Sequence, residues 1–530
     1  MRMNNTNGKT IEILDTTLRD GSQMRGVNFT LQEKIMIATK LDDLGVNIIE
    51  GGWPGSNPKD LEFFKLIKKH ELRNSKIAVF GSTRRKNITA KNDNNLKVMV
   101  DSEALVSVIV GKTSSFHVEK ILNCSLEDNL EMIYDSLIFL RESGLQTYFD
   151  AEHFFDGYNI NPEYAIQTVK TAEEAKVNTI VLCDTNGGML PHQIERVVKK
   201  IKKNSEVKIG FHGHNDTGCA VANTVSAVVA GATHIQGTIN GLGERTGNAD
   251  LCQVIPNLEM KLKKKTRNIQ KKQIINFGKL RDISNYINEL VNINSFDHQP
   301  YFGKFAFSHK AGLHVDGMLK SSKAYEHINP EIFKSERSFT ISELSGKANI
   351  IALSKKFNFQ IDKDDKRIID ILEEIKKLEF SGFTLDNADA TTYLIFLRHL
   401  GLYKQYFHVD SWKVLTEKQN QINSKSEIKI LIGENIYTNN AYGVGPVNSL
   451  AIALRKSLQN KYPEINKIEL TNYKVSIVGA SKDTASLVRV FIEFKKDEVV
   501  WATTATSQNI LDASLRALID GHDYFLQKNI

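Results

Sequence analysis

The first half of the chain repeats one unit, a short apolar run followed by a longer amphipathic stretch, and this repeat limits the fold more than any other feature. The runs are rich in β-branched residues and predict eight strands: Ile11–Leu14, Asn47–Gly51, Lys76–Gly81, Leu105–Gly111, Thr147–Glu152, Thr179–Thr185, Lys208–His214 and His234–Asn240. Strands that alternate with helices eight times predict a closed (β/α)8 TIM barrel, whose active site lies at the carboxyl ends of the strands. An open doubly wound sheet is the alternative, but it should carry a glycine-rich fingerprint after its first strand. This chain has Asp15-Thr-Thr-Leu-Arg-Asp20 there.

Three of the amphipathic stretches show where their helices begin. Leu31–Leu44 follows Thr30, and Glu33 stands three positions later, a pairing that predicts a capping box. Pro162 and Pro191 each stand near a first helical turn, a position that proline favours. These signals support helices between the predicted strands.

The chain has 530 residues, which is too long for one domain, and its character changes after the barrel. The segment from about Glu336 to Leu402 has a mostly helical pattern, whereas strands and helices alternate from about Val409 onward. Gly445–Arg455 and Ser507–Arg516 echo each other, which predicts an α+β module made of two copies of one unit. We therefore predict a barrel in 1–270, helical subdomains in 271–335 and 336–408, and a C-terminal α+β domain in 409–530.

Composition argues against several classes of protein. No apolar run reaches about eighteen residues and residues 1–10 lack an apolar signal core, so we expect a cytoplasmic protein without a membrane anchor. The four cysteines have no metal-ligand or disulfide spacing, which favours inert thiols. The net charge of +7 includes a basic cluster in 261–272 that no aromatic residue interrupts, which favours a solvated helix or linker over a nucleic-acid site. A positive field also suits an anionic substrate.

Polar residues collect where the predicted strands end. His212 and His214 are two positions apart in one strand, so their side chains share a face and can point at one metal ion. Asp20, after the first strand, is the candidate oxygen ligand. A carboxylate with two imidazoles suits Mn²⁺, Zn²⁺ or Mg²⁺. The plainer alternatives are two histidines that fill the core and an aspartate that caps a helix.

Neighbouring strand ends supply the groups that a keto-acid reaction needs. A metal ion could chelate an α-keto acid through its carbonyl and carboxylate. Arg19 can donate to the oxygen that becomes an alkoxide, and the Thr185 hydroxyl can hold the carboxylate. Glu152 is a candidate general base or positioning group, with a structural salt bridge as the alternative. The loop Gly241–Gly247 is about equally consistent with a phosphate cradle and a tight turn.

Three motifs together resemble the metal-dependent acyl-CoA condensing family of 2-isopropylmalate, homocitrate and citramalate synthases. They are Asp15–Gly21, His212–Asp216 and Asn240–Ala249. Within this family the chain looks most similar to the long bacterial (R)-citramalate synthases, in Glu50–Lys59, Phe80–Arg85, Ala151–Gly157 and Gln299–Tyr301. The resemblance implies a Claisen condensation of acetyl-CoA with pyruvate that yields citramalate and CoA for isoleucine synthesis. A 2-isopropylmalate or homocitrate synthase is the alternative, because the sequence alone does not show which residues set keto-acid size. An aldolase or lyase on the same barrel, or an inactive barrel in a binding protein, are further alternatives from other classes.

The resemblance also implies roles for single residues. Asp20, His212 and His214 would bind the metal, and Asn248 would complete or support its shell. Arg19 would polarise the keto group, Thr185 would hold the keto acid, and Glu152 would lie against both substrates.

Two segments after the barrel, Ser308–Gly317 and Ala324–Pro330, resemble the helical subdomain that covers the barrel mouth in this family. On that basis His314 and Tyr325 are candidates for deprotonating the acetyl methyl group and activating the hydrolytic water. The residues from 409 to 530 would form the regulatory and dimerisation domain, with isoleucine as the inhibitor and a homodimer as the assembly. A purely structural or dimer-forming role is the alternative.

Overall fold

The computed structural model describes residues 10–264, 266, 275–418, 422–479 and 483–530. The chain divides into two compact units, one formed by Met1–Ala306 with Pro330–Ser335 and the other by Phe307–Asn329 with Glu336–Ile530. The predicted boundary at 270 lies outside the described residues, and the boundaries at 335 and 408 stay predictions. Residues 1–9 and much of the basic cluster, Lys265, Arg267, Lys271 and Lys272, also lie outside the described residues.

Eight parallel strands form a closed barrel in the first unit, which confirms the predicted fold and excludes the open sheet. They are β1 (Glu12–Asp15), β2 (Ile48–Glu50), β3 (Lys76–Ser82), β4 (Val106–Lys112), β5 (Gln146–Glu152), β6 (Thr179–Asp184), β7 (Lys208–Gly213) and β8 (His234–Gly237). The barrel closes where β1 pairs with β8 and Glu12 lies opposite His234. The last strand is shorter than predicted because the backbone turns at Asn240, where φ is 60°.

The helices of the first unit follow the strands in alternation. They are α1 (Leu31–Leu44), α2 (Pro58–Ile67), α3 (Asn94–Asp101), α4 (Ser115–His117), α5 (Leu126–Glu142), α6 (Phe154–Ile160), α7 (Pro162–Glu174), α8 (Pro191–Lys203), α9 (Ala220–Val229), α10 (Leu251–Pro256) and α11 (Phe277–Leu290). The predicted capping box is present, because the Thr30 hydroxyl accepts from the Glu33 N–H at 3.3 Å and the Glu33 carboxylate accepts from the Thr30 N–H at 2.7 Å.

The barrel interior is layered along the strands. At the amino end, the Glu12 carboxylate accepts hydrogen bonds from Tyr148, Lys208 and His234. The middle is apolar on one side, where Leu14, Ile48, Ala78, Phe80, Val106 and Val108 pack together. Side chains of one strand alternate between its two faces, so the residue two positions after an inward-facing residue also faces inward. This rule decides which residues face inward at the carboxyl end of each strand. The polar strand ends that the sequence shows therefore meet at one mouth.

The second unit begins with a small helical part. It contains a two-stranded sheet of β9 (Ser308–His309) and β10 (Ser338–Phe339), followed along the chain by α12 (Gly312–Lys320), α13 (Lys347–Lys356), α14 (Arg367–Phe380) and α15 (Asp389–Leu400). Ile350 of α13, Ile371 of α14 and Phe396 of α15 are buried in one apolar cluster. Helices α13, α14 and α15 lie between Glu336 and Leu402, where the sequence has its helical pattern.

The C-terminal part repeats three antiparallel strands and a helix. The first copy is β11 (His408–Lys418), β12 (Ile422–Ile432), β13 (Asn435–Gly443) and α16 (Pro446–Leu458), and the second is β14 (Glu469–Val478), β15 (Leu487–Lys496), β16 (Val499–Ser507) and α17 (Ile510–Asn529). Leu450 and Leu454 of α16 share one buried cluster with Leu515 and Leu518 of α17. The α+β module and its internal repeat are thus confirmed. None of the helices in the described part of the chain combines the length and apolar character that a membrane span needs.

Candidate active site

A cavity of about 500 Å³ opens at the carboxyl ends of the barrel strands. Predicted residues from four different parts of the chain line it: Arg19, Asp20, Glu152, Thr185, His212 and His214. Period-two alternation explains the convergence, because His212 and His214 follow Gly210 on the inward face of the β7 segment, and Glu152 follows Asp150 on β5. The structure therefore brings these residues to one place.

Asp20, His212 and His214 form a compact group of possible metal ligands. Asp20 Oδ2 lies 3.5 Å from His212 Nε2 and 3.8 Å from His214 Nε2, and the two Nε2 atoms are 3.3 Å apart. All three residues are buried, and one ligand atom from each lies within 4.8 Å of the other two. Among the described residues, these three form the group of His, Cys, Asp or Glu side chains that lie close enough together to hold a metal ion.

The charge states of this group suit a divalent cation. Burial raises the pKa of Asp20, but the Arg19 guanidinium and the two imidazoles lower it more, so that the carboxyl titrates below its usual range. Burial and the neighbouring His214 lower the pKa of His212 to about 3, and burial also lowers the pKa of His214. The result is one carboxylate with two neutral imidazoles, which is a donor set that Mn²⁺, Zn²⁺ and Mg²⁺ can use.

Asn248 lies beside this group. An isolated bridge pairs it with His214, and the Ala249 N–H donates to the Gly213 carbonyl at 3.0 Å, which holds the two chain segments together. The Asn248 Oδ1 atom is buried and makes no hydrogen bond within the described part of the chain. A buried acceptor without a donor is costly unless something else satisfies it. The residues present therefore fit a metal ion.

Glycines shape the loop that presents Asn248. Gly247 has a φ of 91°, and a side chain there would overlap the Gly241 carbonyl oxygen. Gly243 has a φ of 155°, and a side chain there would overlap the Asn248 amide nitrogen. The 241–247 loop is therefore a tight turn that packs closely against its own backbone and against Asn248. A tight turn is the second of the two interpretations that the sequence left open.

Arg19 is held rigidly at the cavity wall. Its Nε donates to Glu50 Oε2 at 2.7 Å, and its Nη1 lies 3.5 Å from Asp20 Oδ2. The guanidinium also lies over the Phe80 ring, 4.0 Å from the centroid. Glu50 is fully buried and accepts from the Thr16 hydroxyl as well. The sequence assigned no role to Glu50, although it stands at the end of the second strand, where functional side chains were expected.

Thr185 and Glu152 are also fixed by their neighbours. The His153 N–H donates to Thr185 Oγ1 at 2.8 Å, which leaves the hydroxyl proton of Thr185 free to donate. His153 reaches this position with a φ of 57°, in the left-handed region that few non-glycine residues occupy. Glu152 forms an ion pair with Lys112 on the neighbouring strand. Its carboxylate is about a quarter exposed, at 23%, so it remains open to the cavity.

Sequence reasoning also missed Gln236, a buried residue of β8. His212 Nδ1 is 2.9 Å from Gln236 Oε1, and Gln236 Nε2 donates to Asp150 Oδ1 at 2.9 Å. Burial and the nearby Glu50 charge raise the pKa of Asp150 to about 8. The same alternation that relates His212 to His214 relates His234 to Gln236, so a search for paired polar residues in every strand would have found Gln236.

His314 and Tyr325 lie in the second unit. Their rings stack with centroids 4.0 Å apart and planes inclined by 20°. Both side chains are exposed within the described structure. His309, the other histidine of the Ser308–Gly317 segment, lies 3.4 Å from the Glu326 carboxylate. The proximity of His314 and Tyr325 to each other agrees with a shared role, and their action at the barrel mouth stays a prediction.

Comparison with known families divides the chain into three matched segments. Residues 10–287 match the model described as HMGL-like, residues 302–382 match the homocitrate synthase post-HMGL domain-like model, and residues 387–526 match the LeuA allosteric (dimerisation) domain. The HMGL-like match covers more than half of the chain. Fold and site therefore define an acyl-CoA condensing enzyme of the HMGL-like class.

Proteins that are similar over nearly their whole length make the family assignment more specific. The chain is 50% identical to an (R)-citramalate synthase of Sulfolobus acidocaldarius over 98% of this chain and 97% of that protein. It is 45% identical to an (R)-citramalate synthase of Geobacter sulfurreducens over 98% of each chain. A 2-isopropylmalate synthase of Methanocaldococcus jannaschii is 32% identical over 98% of this chain and 95% of that protein. The chain belongs to the (R)-citramalate synthase family of acyltransferases.

Proposed function

We propose that this chain condenses acetyl-CoA with pyruvate and hydrolyses the resulting thioester, giving (R)-citramalate and CoA. The observation that carries the proposal is the joint position of Asp20, His212, His214 and Arg19 at one cavity in the barrel mouth. The names of the relatives at 50% and 45% identity support the choice of pyruvate as the acceptor.

The reaction needs four changes of bonding. A base removes a proton from the methyl group of acetyl-CoA, and the resulting carbon nucleophile forms a bond to the keto carbon of pyruvate. The electron pair of that carbonyl moves to its oxygen, which then takes up a proton. Water adds to the thioester carbonyl, the carbon–sulfur bond breaks, and CoA leaves as the thiol. The protein must therefore stabilise negative charge on the enolate oxygen, the alkoxide and the oxygen of the hydrated thioester. It must also take protons from the methyl carbon and from water, and deliver protons to the alkoxide and to the leaving sulfur.

The keto acid would be held by residues from three strand ends. A divalent ion on Asp20, His212, His214 and Asn248 would supply Lewis acidity at the keto acid. Arg19, braced by Glu50, points its guanidinium along the same wall and would donate to the oxygen that gains charge. The Thr185 hydroxyl has its proton free and would donate to the carboxylate of the keto acid.

The acetyl group and the water require further residues. Glu152 is open to the cavity and paired with Lys112, so it would position the thioester and take part in proton transfer. The stacked pair His314 and Tyr325 would supply the base for the methyl group and the group that activates water. An imidazole nitrogen and a phenol hydroxyl can each exchange a proton, which is the property that these two steps need.

We further propose that isoleucine inhibits the enzyme through the C-terminal module and that the chain forms a homodimer. The match of residues 387–526 to the LeuA allosteric (dimerisation) domain supports a regulatory role for this module and a dimer, and isoleucine is the effector that the resemblance to citramalate synthases implies. Inhibition by isoleucine would place the enzyme at the first step of a threonine-independent route to that amino acid. A cytoplasmic location agrees with four cysteines that form no disulfide.

The experiment that tests the substrate is thiol release from acetyl-CoA with three keto acids in parallel, in buffer with Mn²⁺. Pyruvate should give the highest kcat/KM, and the product should be citramalate. 2-Ketoisovalerate is included because a 2-isopropylmalate synthase is among the relatives, and 2-ketoglutarate because homocitrate synthases use the same class of reaction. A preference for 2-ketoisovalerate would move the chain to leucine synthesis, and absence of thiol release with all three would contradict the condensation.

A further inference from the structure

A chain of two hydrogen bonds runs from a candidate metal ligand to a buried carboxyl group. His212 Nδ1 is 2.9 Å from the side-chain oxygen of Gln236, and the side-chain nitrogen of Gln236 donates to Asp150 Oδ1 at 2.9 Å. Gln236 is fully buried, and the exposed fractions of Asp150 and His212 are 3% and 6%. The amide of Gln236 is out of contact with solvent, so it depends on His212 and Asp150 for its hydrogen bonds.

The direction of the hydrogen bonds decides which nitrogen of His212 can bind a cation. The Nε2 atom faces Asp20 and His214, so it must carry the lone pair if a metal binds there. The proton must then be on Nδ1, and Nδ1–H needs an acceptor. The oxygen of the Gln236 amide is that acceptor. If the amide were turned round, its N–H groups would donate to Nδ1, and the proton would move to Nε2.

Asp150 decides which way the amide faces. The amide nitrogen of Gln236 has two protons to donate, and the Asp150 carboxyl is the acceptor within reach on that side. A carboxyl offers an acceptor oxygen in both protonation states, so the amide nitrogen keeps its hydrogen bond in either one. The ionised form has no proton to donate to the amide oxygen, so it is this form that excludes the turned amide. The amide can therefore turn its oxygen to His212 while its nitrogen keeps a hydrogen bond.

We propose that Gln236 and Asp150 act as a pair of positioning residues that hold His212 in the tautomer able to bind a metal ion. Gln236 acts on His212 directly, and Asp150 acts through Gln236. Hydrogen bonds of this kind typically change metal affinity by about 10- to 100-fold. The inference rests on the metal site of the proposed function, but not on the identity of the keto acid.

The test is the dissociation constant for Mn²⁺, measured by calorimetry on the full-length protein without substrates. Gln236→Leu removes the acceptor for Nδ1–H, and we expect the Mn²⁺ Kd to rise about 10- to 100-fold. Asp150→Leu leaves the acceptor in place but releases the amide, and we expect a rise of about 10-fold. Asp150→Asn keeps an acceptor oxygen for Gln236, and its Kd should stay within about threefold of the wild-type value.

A double variant separates positioning from simple damage to the fold. If both residues act through one chain of bonds, the Kd of the double variant with Gln236→Leu and Asp150→Leu should exceed that of Gln236→Leu alone by less than about twofold. In the pair Gln236→Glu with Asp150→Asn, His212 Nδ1–H still donates to position 236, and the second hydrogen bond is kept with its direction reversed, from the amide at position 150 to the carboxylate at position 236. The Kd of this pair should return to within about threefold of wild type. Tyr148→Phe is the matched control, since it removes a buried hydrogen bond from the same strand as Asp150 at the other end of the barrel.

Three results would overturn the inference. They are an unchanged Mn²⁺ Kd in Gln236→Leu, losses of affinity that multiply in the double leucine variant, and a wild-type protein that binds no Mn²⁺. The last result would also remove the metal site from the proposed function. A wild-type protein that binds Mn²⁺ but condenses no keto acid would contradict only the proposed reaction. In that case, a rise in Kd in Gln236→Leu that is reversed in Gln236→Glu with Asp150→Asn would still support the positioning role.

Discussion

Arg19 is the residue whose geometry is most restricted in the cavity. Glu50, Asp20 and the Phe80 ring hold the guanidinium from three sides. Lysine keeps the charge but has no planar fork, so it cannot keep these contacts and also donate to the keto oxygen. Arg19→Lys should therefore lower kcat by about 100- to 1000-fold while the Mn²⁺ Kd stays within about threefold of wild type.

The control for this change is Arg141→Lys, a conservative replacement of an arginine on α5 that pairs loosely with Glu142. Its kcat should equal that of the wild type. A kcat for Arg19→Lys within threefold of the wild-type value would mean that Arg19 does not stabilise charge in the reaction. Both variants can be compared in the thiol-release assay with pyruvate.

Thr185 offers a test of keto-acid binding. Thr185→Val keeps the shape of the side chain but removes the hydroxyl group that would donate to the carboxylate. A hydrogen bond to a charged group contributes about 1.5–3 kcal/mol, so KM for pyruvate should rise about 10- to 100-fold. Thr185→Ser keeps the hydroxyl group, which should still accept from the His153 N–H, and should stay near the wild-type KM. An equal KM in the two variants would contradict the assignment.

The residues of the site divide into those that the sequence could predict and those that it could not. His212 and His214 were predictable because two ligands in one strand leave a local signal. Glu50 acts on Arg19 and Gln236 acts on His212, and in neither case does the neighbour lie on the same strand. The local sequence marks these positions as polar residues in or at the end of a strand, but it does not show which neighbour each one contacts, because that contact exists only after the barrel has closed.

At the scale of elements, Glu12 joins four strands at the amino end of the barrel. It accepts from Tyr148, Lys208 and His234, at 2.9, 2.9 and 3.0 Å. Burial raises the pKa of Glu12, but His234 and Lys208 lower it more, so the carboxyl titrates well below its usual range. A depressed pKa means that this group stabilises the folded state above the pKa of the unfolded chain and that the stabilisation is lost as the pH falls.

We expect Glu12→Gln to lower the free energy of unfolding by about 2 kcal/mol at pH 7, and the deficit to shrink below about pH 4. Urea unfolding at several pH values measures both effects. The matched control is Glu195→Gln, which removes an exposed pair with Lys199 on α8 and should cost less than about 0.5 kcal/mol. Equal losses in the two variants, or a deficit that grows as the pH falls, would contradict the role of Glu12.

The loop before Asn248 gives a second prediction at this scale. Because a side chain at Gly243 would overlap the Asn248 amide, Gly243→Ala should displace Asn248 and raise the Mn²⁺ Kd about tenfold. Gly144→Ala is the control, since Gly144 also has a positive φ, 93°, but a side chain there would meet open space. The same rise in Kd in both variants would show that backbone strain, and not contact with Asn248, is responsible.

Helices and strands were predictable from the sequence where one hydrophobic pattern dominates the segment. The barrel strands are short runs buried on both faces, and α1 has a capping box, a helical spacing and a left-handed Gly45 after its end. In the C-terminal module the sequence predicts strands at Glu427–Ile432, Lys474–Val478 and Leu487–Phe494, which correspond to β12, β14 and β15. Strands β11, β13 and β16 were missed. The sequence of β13, Asn-Ile-Tyr-Thr-Asn-Asn-Ala-Tyr-Gly, is polar and largely exposed, and β16 is rich in Ala and Thr. Such segments form strands because they pair with a neighbouring strand, and their sequences show little hydrophobic periodicity.

At the scale of the whole molecule, α15 belongs to two cores of the second unit. Its Phe396 packs in the cluster of α13 and α14, whereas its Thr391 hydroxyl accepts from the Thr504 N–H of β16 at 3.0 Å. A chain cut at 409 would expose the partners of α15, so regulation is better tested in the full-length protein than in a truncated one.

We expect isoleucine to lower the rate of thiol release and to raise the midpoint of thermal unfolding of the full-length protein. A ligand at 100 times its Kd adds about 2.7 kcal/mol to the stability of the state that it binds. Leucine at the same concentration is the control and should have a smaller effect on both quantities. Inhibition by leucine that equals inhibition by isoleucine would contradict the proposed effector, and stabilisation without inhibition would leave the module without a regulatory role.

The first measurement to make is citramalate formation from acetyl-CoA and pyruvate by the full-length protein after chelation, during titration with Mn²⁺. We predict no thiol release in the stripped protein, full recovery as Mn²⁺ reaches one ion per chain, and no recovery in Asp20→Ala or His212→Ala. Citramalate formation that continues undiminished in the stripped protein would contradict a metal-dependent condensation at Asp20, His212 and His214.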